Sequence, residues 1–380
     1  MSQVTVTTRS NEGVTASSLR RRWLPSQKGE VPNMKRSHVP ALLAVLALAA
    51  SIGFGASAAS ATRTTAVSRA DSNTVNVVEA GSTDFSSADV LYWIDLMKKN
   101  GLNVNFNLID SAATGLKTVI AGQADVYIGS LPTAFLAVIN AGAPIHVIAA
   151  NDQASDYIVL AQNGVTMQNL NGKTMGIDTP GSAGQLSAEI GLKNKGIDPS
   201  IVKYVTIGGT GARTTAILAG QIDLAPVHYP SALLAEATGK VSQLLDVGQA
   251  LGPYIQSGLI SNDSFTKSNP QLAQKVVNAF INAERWAASN KFRYISYAAS
   301  KGLDNGLTGP QEAQAWQYYK DSNFFGINGG ICDKYVTDTI KLNWQLGSLP
   351  KPIPVSRDKL IDRTFVKAFL AAHHQKPETC

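Results

Sequence analysis

The sequence predicts an α/β protein of two similar lobes, joined by two hinge strands and followed by a helical C-terminal tail. Three observations lead there. Short strand-like runs alternate with helical patterns of the length that a parallel crossover needs. An internal echo repeats at an offset of 98 residues: Val119–Val126 (VIAGQADV) returns as Ile217–Leu224 (ILAGQIDL), with Ala121, Gly122, Gln123 and Asp125 matching Ala219, Gly220, Gln221 and Asp223. The same offset aligns the preceding strand-like runs, Val104–Ile109 against Val202–Ile207. Each unit reads strand, long helix, strand, helix, strand.

The first 61 residues form a leader. The apolar run Leu42–Phe54 follows Lys35, Arg36 and His38, and two small-x-small sites, Ala56–Ala58 and Ala59–Ala61, come after it. This is the layout of a secretory signal peptide, too short to span a bilayer. Cleavage is expected near Ala58 or Ala61, and Met34 is an alternative start to Met1. The leader carries seven Lys/Arg against two acids, so the remaining chain holds 26 positive and 25 negative residues. That balance removes the global basic field expected of a nucleic-acid binder. No cysteine follows the apolar run, which excludes a lipid anchor there. Whether Cys332 and Cys380, the two cysteines, pair is left open by sequence alone.

Residues 62–158 are expected to begin lobe 1. From Ala88 the pattern places Val90, Trp93, Ile94 and Met97 on one stripe, with Gly101 as terminator. Residues 163–252 are expected to form lobe 2, where a helix opens near Ala183 with Leu186, Ile190 and Leu192 on its apolar side. The extended stretches Tyr157–Leu160 and Tyr254–Ile260 flank lobe 2 and are the candidate hinge. Residues 258–346 are expected to return to lobe 1 as helices, and residues 347–380 to add a Pro-rich linker and a short helix.

Ligands of open α/β sheets sit at the carboxyl ends of strands, and four loops qualify. They are Glu79–Asp89 (EAGSTDFSSAD), Gly129–Thr133 (GSLPT), Asp178–Gln185 (DTPGSAGQ), and Gly208–Arg213 (GGTGAR) backed by Pro226–Pro230 (PVHYP). The third combines free amides at a helix start with the Ser182 hydroxyl, a setting that receives an anion. Its bland counterpart is a helix capped by its own Ser or Asp. Gly208–Gly211 lacks the spacing of a dinucleotide loop and has no Gly-Lys-Ser/Thr. Arg213 offers a fork of donors to an oxyanion.

As a set, Leu116–Ala149, Leu170–Gly184 and Thr210–Pro230 resemble the substrate-binding components of ABC importers in the nitrate/sulfonate/taurine group, the NMT1/THI5-like proteins. The resemblance implies a periplasmic-binding-protein clamshell that hands a small ligand to a permease with a cytoplasmic ATPase, as a monomer in the periplasm. Carried over by position, its ligand contacts become Ser82, Thr83 and Asp84; Ser130; Ser182, Ala183 and Gly184; and Thr210 and Arg213, with Tyr229 at the edge. A small organic anion or zwitterion is the expected ligand. The alternative is a thiamine-precursor pyrimidine or aromatic compound, held by Asp84 or Asp178 and stacked on Phe85 or Tyr229.

Two other functional classes, an enzyme and an adaptor, share parts of this pattern. The fold group also resembles a thiamine-pyrimidine synthase and an aromatic sulfinate hydrolase. Ser82 and Ser86 stand where a nucleophilic cysteine is expected, and the histidines after the leader (His146, His228, His373, His374) form no spaced metal cluster. No catalysis, cofactor or metal is expected. An adaptor without a ligand is the third class, and no low-complexity arm or repeat surface favours it.

Overall fold

The computed structural model describes residues 73–81, 83–353 and 355–376. The leader, with its apolar run and cleavage sites, lies outside the described residues. Among those described, no helix is long and apolar enough to cross a membrane.

Lobe 1 opens with β1 (Thr74–Ala80), α1 (Ala88–Lys99), β2 (Asn103–Ile109), α2 (Ala112–Ile120), β3 (Val126–Ser130), α3 (Leu131–Ala141) and β4 (Ile145–Ala150). Lobe 2 follows the same plan with β5 (Tyr157–Gln162), β6 (Thr174–Ile177), α4 (Ala183–Asn194), β7 (Lys203–Thr206), α5 (Thr210–Leu218), β8 (Leu224–His228), α6 (Tyr229–Glu236), β9 (Val241–Asp246) and α7 (Val247–Leu251). The chain then returns through β10 (Ser257–Asn262).

Two five-stranded sheets result, ordered β2-β1-β3-β10-β4 and β7-β6-β8-β5-β9. In each, the strand delivered by the crossover, β10 or β5, is antiparallel to its neighbours. The remaining pairs, β1 with β2 and β3, and β6 with β7 and β8, are parallel. Tyr157–Leu160 therefore belongs to the second sheet, and the crossing segments are 151–156 and 252–256. Those segments bond to each other, Tyr254 N–H to the Gln153 carbonyl at 3.1 Å and Gln256 N–H to the Asp152 carbonyl at 3.0 Å.

The echo has a structural cause. Asp125 Oδ2 accepts from the Asn76 amide at 2.9 Å, and Asp223 Oδ2 accepts from the Thr174 amide at 2.8 Å. Each aspartate ties the turn before a central strand to the start of the neighbouring one, and Asn76 and Thr174 stand at the same offset as the aspartates. The helix stripe is also as expected: Val90, Trp93, Ile94 and Met97 are buried.

The tail comprises α8 (Asp263–Ser268), α9 (Pro270–Ser289), α10 (Lys291–Ser300), α11 (Gly309–Asp321), α12 (Asp333–Leu346) and α13 (Thr364–Ala372). Helix α9 packs on α1, where Trp93 Nε1 donates to the Val276 carbonyl at 3.1 Å and Trp93 meets Phe280 edge to face. Helix α12 instead braces the crossing: Thr339 Oγ1 accepts from Ile255 N–H at 2.8 Å, and Asn343 Nδ2 donates to the Tyr254 hydroxyl at 3.3 Å. Cys332, at the start of α12, is disulfide-bonded. The sequence's other cysteine, Cys380, lies outside the described residues.

Candidate functional site

The strands of both sheets end towards a shared cleft of about 140 Å³ between the lobes. The lobes touch at its rim. Thr133 Oγ1 donates to the Gly181 carbonyl at 2.8 Å, and a Cβ placed on Gly209 would stand 3.7 Å from Gly81 Cα.

Five helices begin on the cleft wall. Ser87, Ser130, Ser182, Gly209 and His228 are the N-cap residues of α1, α3, α4, α5 and α6; all line the cleft, and none makes a side-chain capping bond. Elsewhere Ser111, Asp246, Asn262 and Asn290 each cap a helix start with a side-chain oxygen, while α9, α12 and α13 also begin without a side-chain cap. Uncapped amides carry the positive end of the helix dipole, and each such end favours an anion by about 0.3–1 kcal/mol. Ser182 is 5 % exposed, and its Oγ has no hydrogen-bond partner.

Arg213, on the first turns of α5, is 3 % exposed. Its Nε donates to the Pro226 carbonyl at 2.8 Å, Nη1 to the Gly208 carbonyl, and Nη2 to Thr210 Oγ1 at 3.1 Å. Three of the five donors are thus used to fix the fork in place. Burial pulls its pKa below the ordinary value, opposed by the Tyr157 hydroxyl and Asp178.

Acids are the surprise on this wall. Glu79, Asp152, Asp156 and Asp178 all line it. Asp156 pairs with His228 Nδ1 at 2.9 Å. Burial works against the imidazolium, yet the Asp156 charge, its hydrogen bond and the Asp84 charge together outweigh it and push His228 up to about 9. Burial and the neighbouring Asp156 raise Asp152, which accepts from Asn151 Nδ2 at 2.7 Å and from Ser257 Oγ at 2.5 Å. Burial, with Asp89, Asp84 and Asp152 nearby, pushes Glu79 up to about 8. Behind the wall, burial also raises both Asp89 and Glu284, and the Asp89 charge raises Glu284 further.

Of the residues singled out from sequence, Ser130, Ser182, Ala183, Gly184, Thr210 and Arg213 meet on the cleft wall. Ser82 lies outside the described residues. Thr83 and Asp84 are not on the wall: Asp84 Oδ1 accepts from the Ser86 amide at 2.8 Å and holds the turn that presents Ser86 and Ser87 instead. Tyr229 also faces away. Its ring stacks on Tyr318 with centroids 4.0 Å apart, and its hydroxyl accepts from Gln314 Nε2 at 3.0 Å. The preceding residue, His228, takes the wall position because it closes β8, whereas Tyr229 already belongs to the first turn of α6. Asp152, Asp156, Tyr157 and Gln256 are wall residues outside the four candidate loops, and Glu79 heads the first of those loops without being among its expected contacts. Glu79 alone had a local signal, as the penultimate residue of a strand running into a Gly-Ser loop.

Among the described residues, no group of His, Cys, Asp and Glu is arranged to hold a metal ion. Two lobes closing small, polar, dipole-lined space define a solute-binding protein for a small polar ligand, of the type that serves ABC importers. The profile of the family described as NMT1/THI5 like matches residues 96–291, just over half of the chain, and the chain belongs to that family. It is a carrier of substrate, not an enzyme. A search of curated protein sequences returns no match. Solved structures with the same fold include a protein from Bordetella bronchiseptica, 19% identical with a TM-score of 0.66, covering 80% of this chain and 98% of that one. The periplasmic nitrate-binding protein of Synechocystis is 15% identical with a TM-score of 0.65, covering 79% and 89%. The alkanesulfonate-binding protein of Xanthomonas axonopodis pv. citri, bound to MOPS, is 15% identical with a TM-score of 0.61, covering 77% and 99%.

Proposed function

We propose that the protein captures a small organic anion or zwitterion, of the sulfonate, taurine or nitrate kind, between its lobes and delivers it to the permease of an ABC importer powered by a cytoplasmic ATPase. It works in the periplasm as a monomer, after cleavage of its signal peptide near Ala58 or Ala61. The observation that carries this reading is the meeting of five uncapped helix starts with the Arg213 fork on one cleft wall. Dipole ends and guanidinium together form a fixed positive lining whose remaining donors need a ligand's oxygens. Ser130, Ser182, Ala183, Gly184, Thr210 and Arg213 make the contacts. Ser82 belongs with them by sequence position.

The pyrimidine alternative keeps Asp178 on the wall but loses its stacking faces. Phe85 is fully buried edge-on against Tyr294, and Tyr229 is stacked on Tyr318. Thermal-shift screening of the mature protein against sulfonates, nitrate, aromatic acids and pyrimidines tests the reading. A sulfonate, taurine or nitrate that raises the melting temperature supports it; a response to pyrimidines alone overturns it.

A further inference from the structure

The wall holds more acid than an anion receptor needs, and the surplus is not internally answered. Asp156 has His228, and Asp152 has Ser257 and Asn151. Glu79 Oε2, Asp178 Oδ1 and Ser182 Oγ are shielded from solvent and have no hydrogen-bond partner. All three belong to residues lining the cleft. Shielded acceptors left unpaired are costly, so the molecule that fills this space is selected for donors at that point.

Resting on the importer-receptor reading, we infer that the ligand is a zwitterion whose cationic nitrogen is received by Glu79 and Asp178, while its acidic end faces Arg213 and the helix starts. Glu79 comes from lobe 1, whereas Asp178 comes from lobe 2, so the nitrogen subsite is complete only where the lobes meet. Size agrees with a short molecule. An engineered protein cavity of ~150 Å³ holds benzene, and this cleft is about 140 Å³, which accommodates roughly six to eight non-hydrogen atoms.

Proton movement follows from the same geometry. The groups acting on Glu79 are Asp89, Asp84 and Asp152, with His228 as the one opposing cation, and Glu79 and Asp178 both act on the Tyr127 phenol. Burial and those acids hold a proton on Glu79 up to about pH 8. An arriving ammonium supplies the missing positive charge, so the proton leaves to solvent as the ligand enters.

Matched isosteres test this. Titration calorimetry compares taurine with isethionate, and β-alanine with 3-hydroxypropionate, in buffers of different ionisation heat. Within a pair the molecules differ in an ammonium against a hydroxyl. The expected result is that the amine binds at least about tenfold more tightly and releases about one proton near pH 7. Glu79→Gln, which keeps the shape of the protonated acid, removes the proton release and narrows the preference. Asp178→Asn narrows it as a second, independent variant. Isethionate, 3-hydroxypropionate or nitrate binding as tightly as the amines overturns the inference and leaves the receptor reading standing. No binding by either pair or by nitrate overturns both.

Discussion

Lobe 1 and lobe 2 share a strand order, a crossover and an aspartate stitch, but they bring different chemistry to the cleft. Position 115 of lobe 1 corresponds to 213 of lobe 2, and 127 to 225, by the same offset of 98. Lobe 1 has Gly115 beneath Tyr127, so close that an added Cβ would lie 2.4 Å from the ring. Lobe 2 has Arg213 beside Ala225, and the small residue leaves space for a guanidinium bonded to the next carbonyl, Pro226. Ser130, ending β3, likewise answers to His228, ending β8. The repeated residues build the scaffold, and the departures from repetition stand at the cleft. Duplication thus supplies a gap with helix starts on both sides, and the substitutions between the copies give it polarity.

Breaking the Arg213 side has the largest expected effect. Arg213→Ala leaves the Pro226 and Gly208 carbonyls unanswered and is expected to cost about 3–5 kcal/mol in urea unfolding. Arg213→Lys is expected to recover part of that stability but little anion affinity, since a point charge lacks the fork. A loss below about 1 kcal/mol for the alanine variant would mean the fork is not structurally fixed.

Next comes pH, to which the two lobes contribute separately. Glu79, in lobe 1, is raised from 4.5 to about 8, so the folded ligand-free protein binds its proton more tightly than the unfolded chain. That contribution is full below pH 4.5 and is lost as pH rises towards 8. His228, in lobe 2, is raised from 6.5 to about 9, and its contribution is full below 6.5 and lost as pH rises through 9. Both therefore make the ligand-free protein less stable at pH 9 than at pH 6, by about 5 kcal/mol together. Scanning calorimetry at the two values reads the difference. Glu79→Gln should remove one share and Asp156→Asn the other, and a flat profile in the native protein would contradict both.

Gly115→Ala is expected to cost about 1–3 kcal/mol by driving a methyl into the Tyr127 ring and against Ile109 Cδ1, and Tyr127→Ala in the same chain should relieve the ring's share of the clash. The smallest effects are expected at the stitch. Asp125→Asn and Asp223→Asn should each cost about 1–2 kcal/mol, and similar values would sharpen the equivalence of the lobes. A loss confined to one of them would break it.

The scaffold was legible because its signals are local or repeat. The AGQ-x-D echo marks the aspartate stitch, and the Trp93 stripe marks the face of α1. Wall residues at helix starts, such as Ser130, Ser182 and Arg213, were legible for the same reason: a strand, a turn and a helix onset announce each one. Asp152, Asp156 and Gln256 carry no such mark. They face the cleft because two crossing segments, about a hundred residues apart, bond side by side. Asp84 and Tyr229 misled because a turn-holding carboxylate and an outward-facing aromatic look like ligand contacts until the neighbouring helices are placed. Tyr318, on α11, is what takes the Tyr229 ring.

Hydrogen exchange with and without bound ligand, using the first compound that raises the melting temperature, tests the shared cleft most directly. Slower exchange is predicted together in peptides covering 83–88 and 129–133 of lobe 1 and 178–185 and 208–213 of lobe 2. Protection confined to one lobe, or appearing on an outer face while these four segments exchange unchanged, would contradict a ligand held between the halves.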